Sequence, residues 1–530
     1  MRSSHSIVKL EVCSRPATLV HRSLDIPSIK FKDFSNETTF LRVYYFGELS
    51  VSCTASKIQI GSLRDLSTRG LYIEISNEKL IIKNDWLGSI PLFYNRTKGR
   101  VSTDFQFCVE RREIDEVGLA GFLKYGYSVF GRTPIKDVEF LEYCSEIEIR
   151  GDRITVVSTR DPLLDEMKRG HSSETEIISL ISQRLINAVW DKNKVLIPLS
   201  GGFDSRLLTY LIQQAIGGSK VLNVSYGYSS KQYTSYEVQI AQEVSNRLNT
   251  TFKWIELENE NEKIVDWLML KGASTHLHGM YQIDFYKKVV EEFDDISINI
   301  SGIYGDLWSG KILTKTPQNI AEYEKLFLSH GLTYSEKNTI KGGGESELLF
   351  KRFARDREFL SSNFYRAVTI ARHKMILLSY LVEAPQSLGI ETYSPFLDLE
   401  VVSSMLRLPV DQWERREWQK RFFAENDLLI KSPLSIESRS NVLFLNSYKK
   451  FDFPTINPDN YEEKIKYRVV EMNRFLSKKS DFHFYLQYLI TRFKLNRIPM
   501  IGKYFKQPLR DAVYDYYHFA PIEWSLNKYL

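Results

Sequence analysis

The chain has little of what makes disulfides or a membrane anchor. Its four cysteines, Cys13, Cys53, Cys108 and Cys144, all lie in the first third, and none forms a CxxC pair. No disulfide framework follows from that spacing. No run of about 18 apolar residues occurs, so no transmembrane helix is expected. The opening MRSSHSIVKL lacks the apolar core of a signal peptide. The cysteines are therefore expected as reduced, buried thiols of a cytoplasmic protein. Charge of one sign is scarce too. A net charge of +5 over 530 residues is too weak to argue for nucleic acid as a partner. The surplus of Lys and Arg in the last hundred residues reads as a solvated helical surface. There is neither an internal repeat nor a low-complexity tract.

What is present is a globular composition, 43% hydrophobic and 26% charged, long enough for two to four domains. Aromatics reach 13%, so ring-rich cores or pockets are expected. Residues 1 to about 160 read as mostly β. Segments such as LRVYYFGEL, GLYIEIS, KLIIKND and CSEIEIRGDRITVVS alternate or run apolar between turn signals. One helix is predicted over 115–125. Residues 161–172 are polar and read as a linker. Ser173 and Glu176 then form a capping box, and Ile177, Ile181, Leu185 and Val189 follow at four-residue spacing.

The most informative stretch is VLIPLSGGFDSRLLTYLI, 195–212. An apolar strand runs into Ser200-Gly201-Gly202, and a helix begins near Asp204. Two glycines let backbone N–H groups crowd a phosphate, and the helix N-terminus adds partial positive charge. Ser200 and Ser205 supply further hydrogen bonds. Asp204 faces a phosphate only through a hard cation such as Mg²⁺. Further strands are predicted at 221–226, 252–257 and 296–300, with a helix over 236–248 between. This β-α-β order is that of a doubly wound parallel sheet. SGGFDS and SGIYGD (301–306) both sit at strand carboxyl ends, where such sheets bind ligands.

Gly305 to Ile312 nearly spells a Walker A loop, but Ile312 stands where Ser or Thr must hold Mg²⁺, and that reading is rejected. Asp306 is either a second metal carboxylate or an Asx cap. The pair His276 and His278 reads as structural. Residues 310–440 read as helical, interrupted by a KGGGE connector at 341–345 that is either a lid or a plain loop. Residues 445–530 read as further helices with no visible chemistry.

Together these pieces resemble the asparagine synthetase family. SGGFDS, SGIYGD and IETYSPFLD (390–398) follow in the family's order, and DWLGSIPLFY (85–94) is similar to its glutaminase-domain signature. The resemblance implies an α/β multidomain fold: a degenerate, Ntn-like β-rich sandwich at 1–165, a doubly wound ATP-pyrophosphatase domain at 166–445 and a helical extension at 446–530. It implies ATP and Mg²⁺ as cofactors, with adenylation of a carboxylate and release of AMP and pyrophosphate. Carried over by position, Ser200, Gly201, Gly202 and Ser205 hold the pyrophosphate. Leu199, Ser301 and Gly302 line the adenosine, Asp204 and Asp306 bind Mg²⁺, and Glu391 takes a proton from the attacking amine.

The implied partners are a small-molecule, peptide or sugar carboxylate and ammonia or an amine, with neither nucleic acid nor membrane; a homodimer stays open. Departures from the family pattern shape the expectation further. Residue 2 is Arg2, so the N-terminal cysteine nucleophile is missing and glutaminase activity is expected to be lost. Leu307 and Tyr393 replace a glutamate and an arginine, and Asn441 replaces a lysine, whose absence either weakens catalysis or moves its work to a neighbour such as Lys431 or Lys420. An ammonia-using asparagine synthase and an inactive nucleotide-binding scaffold are the alternatives. A sulfur-inserting tRNA enzyme would want cysteines beyond Cys144.

Overall fold

The computed structural model describes residues 7–527 apart from 14–28, 38, 47–49, 55–56, 62–65, 230, 259–261, 312–314, 329–343, 358, 431–450, 479 and 493–507. Residues 341–343 of the glycine connector, Lys431 and Asn441 therefore lie outside the described residues.

The described residues between Ile7 and Ser158 include two six-stranded antiparallel sheets. Alternation in the sequence aims Leu10, Val12 and Val43 from one sheet and Ile73, Ile82 and Ile147 from the other into a shared apolar core. The turn at Asn77 joins Leu71–Ser76 to Leu80–Asn84, and the 95–99 turn joins Phe93–Asn95 to Arg100–Ser102. The helix expected at 115–125 is Glu116–Tyr125, capped by Asp115 and ended by Gly126 in the left-handed region.

A five-stranded parallel sheet follows. Its order across the sheet is Thr251–Ile255, Val221–Tyr226, Val195–Pro198, Ile298–Ile300 and Thr392–Tyr393. In chain order this reads 3-2-1-4-5, so the order reverses between Val195–Pro198 and Ile298–Ile300. Val195, Leu196 and Ile197 are all fully buried, as a strand covered on both faces requires. The helix Glu174–Val189 carries the expected capping box, and Ile177, Ile181, Leu185 and Val189 are its buried stripe.

Residues 161–172 are not a free linker. Asp161 takes two hydrogen bonds from Arg372, at 2.6 and 2.8 Å, Leu163 is fully buried, and the hydroxyl of Ser172 donates to the carbonyl of Ser404. The sandwich keeps its own interior core, while Trp86 and Phe105 of the amino-terminal part join a second, continuous core that runs through Leu196 to Val513. The helical portion includes Asn363–Leu378, buried on nearly every side, and Pro508–Asn527, which packs on the turn Gly272–Ser274. Among the described residues no helix is long and apolar enough to cross a membrane.

Candidate functional site

The strand Val195–Pro198 ends as Leu199 donates its N–H to the carbonyl of Val224 at 2.9 Å. Ser200, Gly201 and Gly202 turn the chain into the helix Phe203–Ile216, with Gly202 as its N-cap. Glycine is required at 201, where a Cβ would stand 2.9 Å from the Tyr236 ring. The loop is tied internally. The Ser205 hydroxyl accepts from the Ser200 N–H at 3.1 Å, and the Ser200 hydroxyl accepts from the Gly202 N–H at 3.2 Å. From behind, the buried Arg206 donates to the carbonyls of Gly201 at 3.2 Å and Leu428 at 2.7 Å. Hydroxyls and first-turn N–H groups on one rim are the kind of donors that an anion site uses.

The strand Ile298–Ile300 ends beside it. Ser301 and Gly302 lead to Tyr304, a non-glycine residue at φ 61°, and then to the short helix Gly305–Trp308. The strained Tyr304 is anchored by its hydroxyl, which donates to the Ala371 carbonyl at 2.9 Å. Gly305 permits a close approach: a Cβ there would lie 2.6 Å from both Cβ and Cγ of Asp204. Asp204 and Asp306 thereby share one corner. Arg416 Nη2 stands 3.4 Å from Asp204 Oδ2 and 4.0 Å from Asp306 Oδ2. Gln419 donates to Asp204 at 3.4 Å, and Lys311 pairs with Asp306 at 3.1 Å. Burial lifts the Asp204 carboxyl to about 6; Arg416 opposes the shift and the charge of Asp306 adds to it. Two carboxylates gathered on one cationic nitrogen are a donor set that fits a hard cation such as Mg²⁺, for which the guanidinium stands in.

These groups open onto a cavity of about 540 Å³ at the carboxyl ends of the sheet, at its switch point. Leu199, Ser200, Asp204, Ser205, Ser301, Gly302 and Asp306 all line it, and Gly201 and Gly202 form the loop alongside. His276 and His278 also line the cavity. His278 is pulled down to about 4 by burial and His276 lies well below its usual value, so both are neutral at neutral pH.

Glu391 is a correction. Its carbonyl accepts from the Asn299 N–H at 2.8 Å, which sets it just before the strand Thr392–Tyr393 and at the amino-terminal side of the sheet. Its carboxylate pairs with Lys192 at 2.9 Å, and it does not line the cavity. Motif order alone carried no information on which end of the strand this side chain occupies. Lys420 pairs with Glu417 at 2.7 Å and is likewise absent from the cavity wall.

Three groups at the site belong to no motif in the sequence. Arg416 and Gln419 lie in the charged stretch ERREWQK, 414–420, with nothing to single them out. Lys374 had a signal: it falls on the face of a helix otherwise marked by Ile370, Leu377 and Leu378, at helical spacing. Cys13, the nearest cysteine to the N-terminus, is buried in the strand Ile7–Cys13.

Residues 175–277 match the family model for NAD synthase, a PP-loop ATP pyrophosphatase family. The matched segment contains the SGGFDS loop and three of the five parallel strands. It supports ATP-using, amide-forming ligase chemistry of the PP-loop superfamily in general, without reaching asparagine synthetase in particular. No curated protein matches the chain.

Proposed function

We propose that the chain is an ATP- and Mg²⁺-dependent ligase of the asparagine synthetase type, which activates a carboxylate as an acyl-adenylate and joins it to ammonia or an amine. The observation that carries this reading is the convergence of Ser200, Ser205, Asp204 and Asp306 on one cavity at the switch point of a parallel sheet. In it, Ser200, Gly201, Gly202 and Ser205 donate hydrogen bonds to the phosphates that leave as pyrophosphate. Leu199, Ser301 and Gly302 lie against the adenosine. Asp204 and Asp306 would hold Mg²⁺, which offsets phosphate charge in the transition state.

The acid's carboxylate oxygen attacks the α-phosphorus, and the bond to pyrophosphate breaks. The amine nitrogen then attacks the acyl carbon, AMP leaves with the bonding electrons, and the nitrogen loses a proton. The pairing of Glu391 with Lys192 speaks against Glu391 as that proton's acceptor. The acid is a small-molecule, peptide or sugar carboxylate, and the setting is the cytoplasm, where ATP is available. Glutamine is not proposed as the nitrogen source, and Cys13 is buried in the strand Ile7–Cys13.

The test is release of AMP and pyrophosphate from ATP with a panel of carboxylic acids, comparing the native chain with Asp204→Ala. Loss of turnover in the variant supports the reading, and steady turnover overturns it. A second reading, a nucleotide-binding protein without turnover, is favoured by the position of Glu391 alone. It predicts ATP binding with no acid-dependent pyrophosphate release.

A further inference from the structure

The helix Asn363–Leu378 is buried on nearly every side, and burial of a cation without a partner is costly. Two of its arginines meet that cost in the usual way. Arg366 donates to Thr316 and to the carbonyls of Leu360 and Ser361, and Arg372 pairs with Asp161 and donates to the Trp86 carbonyl. Lys374 does not. It is only 6% exposed, and among the described residues it has no hydrogen-bond or ion-pair partner. Burial alone pulls its ammonium down to about 8, with no neighbouring charge to restore it. Even so, an amine at about 8 is largely protonated at neutral pH.

The unpartnered ammonium faces the cavity. Ile370, Leu377 and Leu378 flank it on the same helix, and Tyr380 and Leu381 extend the wall. The phosphate loop and the two aspartates lie elsewhere on the lining, and neither aspartate contributes to the electrostatics of Lys374. The lining also bears the carboxylates of Asp204, Asp306 and Glu237, but the apolar, ring-bearing wall around Lys374 carries one unpartnered cation, and such a wall selects a ligand of matching form: an apolar body with an anionic group. Such a ligand supplies the missing partner in a low-dielectric setting, where a charge-assisted hydrogen bond is strong.

We propose that Lys374 is the seat of a carboxylate on the acid substrate, and that this substrate has an aromatic or aliphatic body packed against Leu377, Leu378 and Leu381. The proposal rests on the ligase reading of the same cavity. It assigns Lys374 to binding rather than to the phosphate chemistry.

The experiment uses the full chain and its Lys374→Met variant, which removes a buried charge at nearly constant volume and is expected to melt no lower than the native chain. Binding of 3-phenylpropanoate, of its uncharged amide and of ATP is measured for each by calorimetry. The expected result is carboxylate binding to the native chain that weakens about tenfold or more in Lys374→Met, while the amide and ATP change by less than about twofold. Equal binding of the carboxylate to both proteins, or no binding to the native chain, overturns the assignment of Lys374. Absence of ATP binding in the native chain overturns the ligase reading instead, so the two failures are told apart.

Discussion

The indole N–H of Trp86 donates to the carbonyl oxygen of Leu397 at 2.9 Å, joining segments 311 residues apart. Trp308 does the same for the next carbonyl, that of Phe396, also at 2.9 Å, and the two indoles lie 6.3 Å apart. DWLGSIPLFY and SPFLD are thus two faces of one joint between the sandwich and the parallel sheet. Trp86→Phe leaves a buried carbonyl without its donor, at about 1–3 kcal/mol. The expected outcome is a lower thermal midpoint with ATP affinity unchanged within about twofold. A large loss of ATP affinity without a loss of stability would contradict a purely structural joint.

Gly305 is the spacer that lets Asp204 and Asp306 meet. In Gly305→Ala, the new Cβ would collide with Asp204 at 2.6 Å, and the helix Phe203–Ile216 or the Asp204 side chain must give way. Pyrophosphate release is expected to fall on the order of a hundredfold, as for loss of a group that stabilises transition-state charge. Circular dichroism should be unchanged. Full activity would show that the carboxylates need not share a corner.

Arg416 competes with any cation for the same oxygens. Replacing it with methionine removes that competitor, so Mn²⁺ (a spectroscopic stand-in for Mg²⁺) should bind the nucleotide-free chain about tenfold more tightly. Electron paramagnetic resonance titration measures this directly. Equal or weaker binding would mean that the two carboxylates are not a cation site.

Burial holds His278 and His518 neutral down to about 4, and His276 and His373 lie well below 6.5. An unfolded chain protonates the same rings near 6.5, so it binds more protons than the folded chain between those values. The stability that these histidines contribute is present above about 6.5 and is lost as pH falls toward 4, on the order of 3 kcal/mol for each of His278 and His518. Thermal midpoints should drop steeply across that window. In His518→Gln the drop should be shallower; an unchanged slope would count against the buried neutral state.

The sheet and its two phosphate-side turns were legible because an apolar run ending in glycines has few other folds open to it. Val221–Tyr226 was placed to the residue. The strand Thr392–Tyr393 was not seen, since two residues carry no periodicity. Glu391 was misplaced because a motif gives order along the chain, whereas the end of the sheet at which a residue stands depends on strand pairing, here the bond from the Asn299 N–H to the Glu391 carbonyl. Arg416 reaches Asp204 across 212 residues, and no local pattern encodes a contact of that range.

The helix Pro508–Asn527 seemed inert in the sequence, yet its His518 ring lies 5.6 Å from that of His276, and His276 lines the cavity. The ribosome makes the phosphate loop and both aspartates long before it makes this helix. A nascent chain halted before residue 508 therefore has every polar group of the cleft but lacks the buttress for one wall. The timing of synthesis thus separates the presence of the chemical groups from the completion of the chamber that brings a substrate to them.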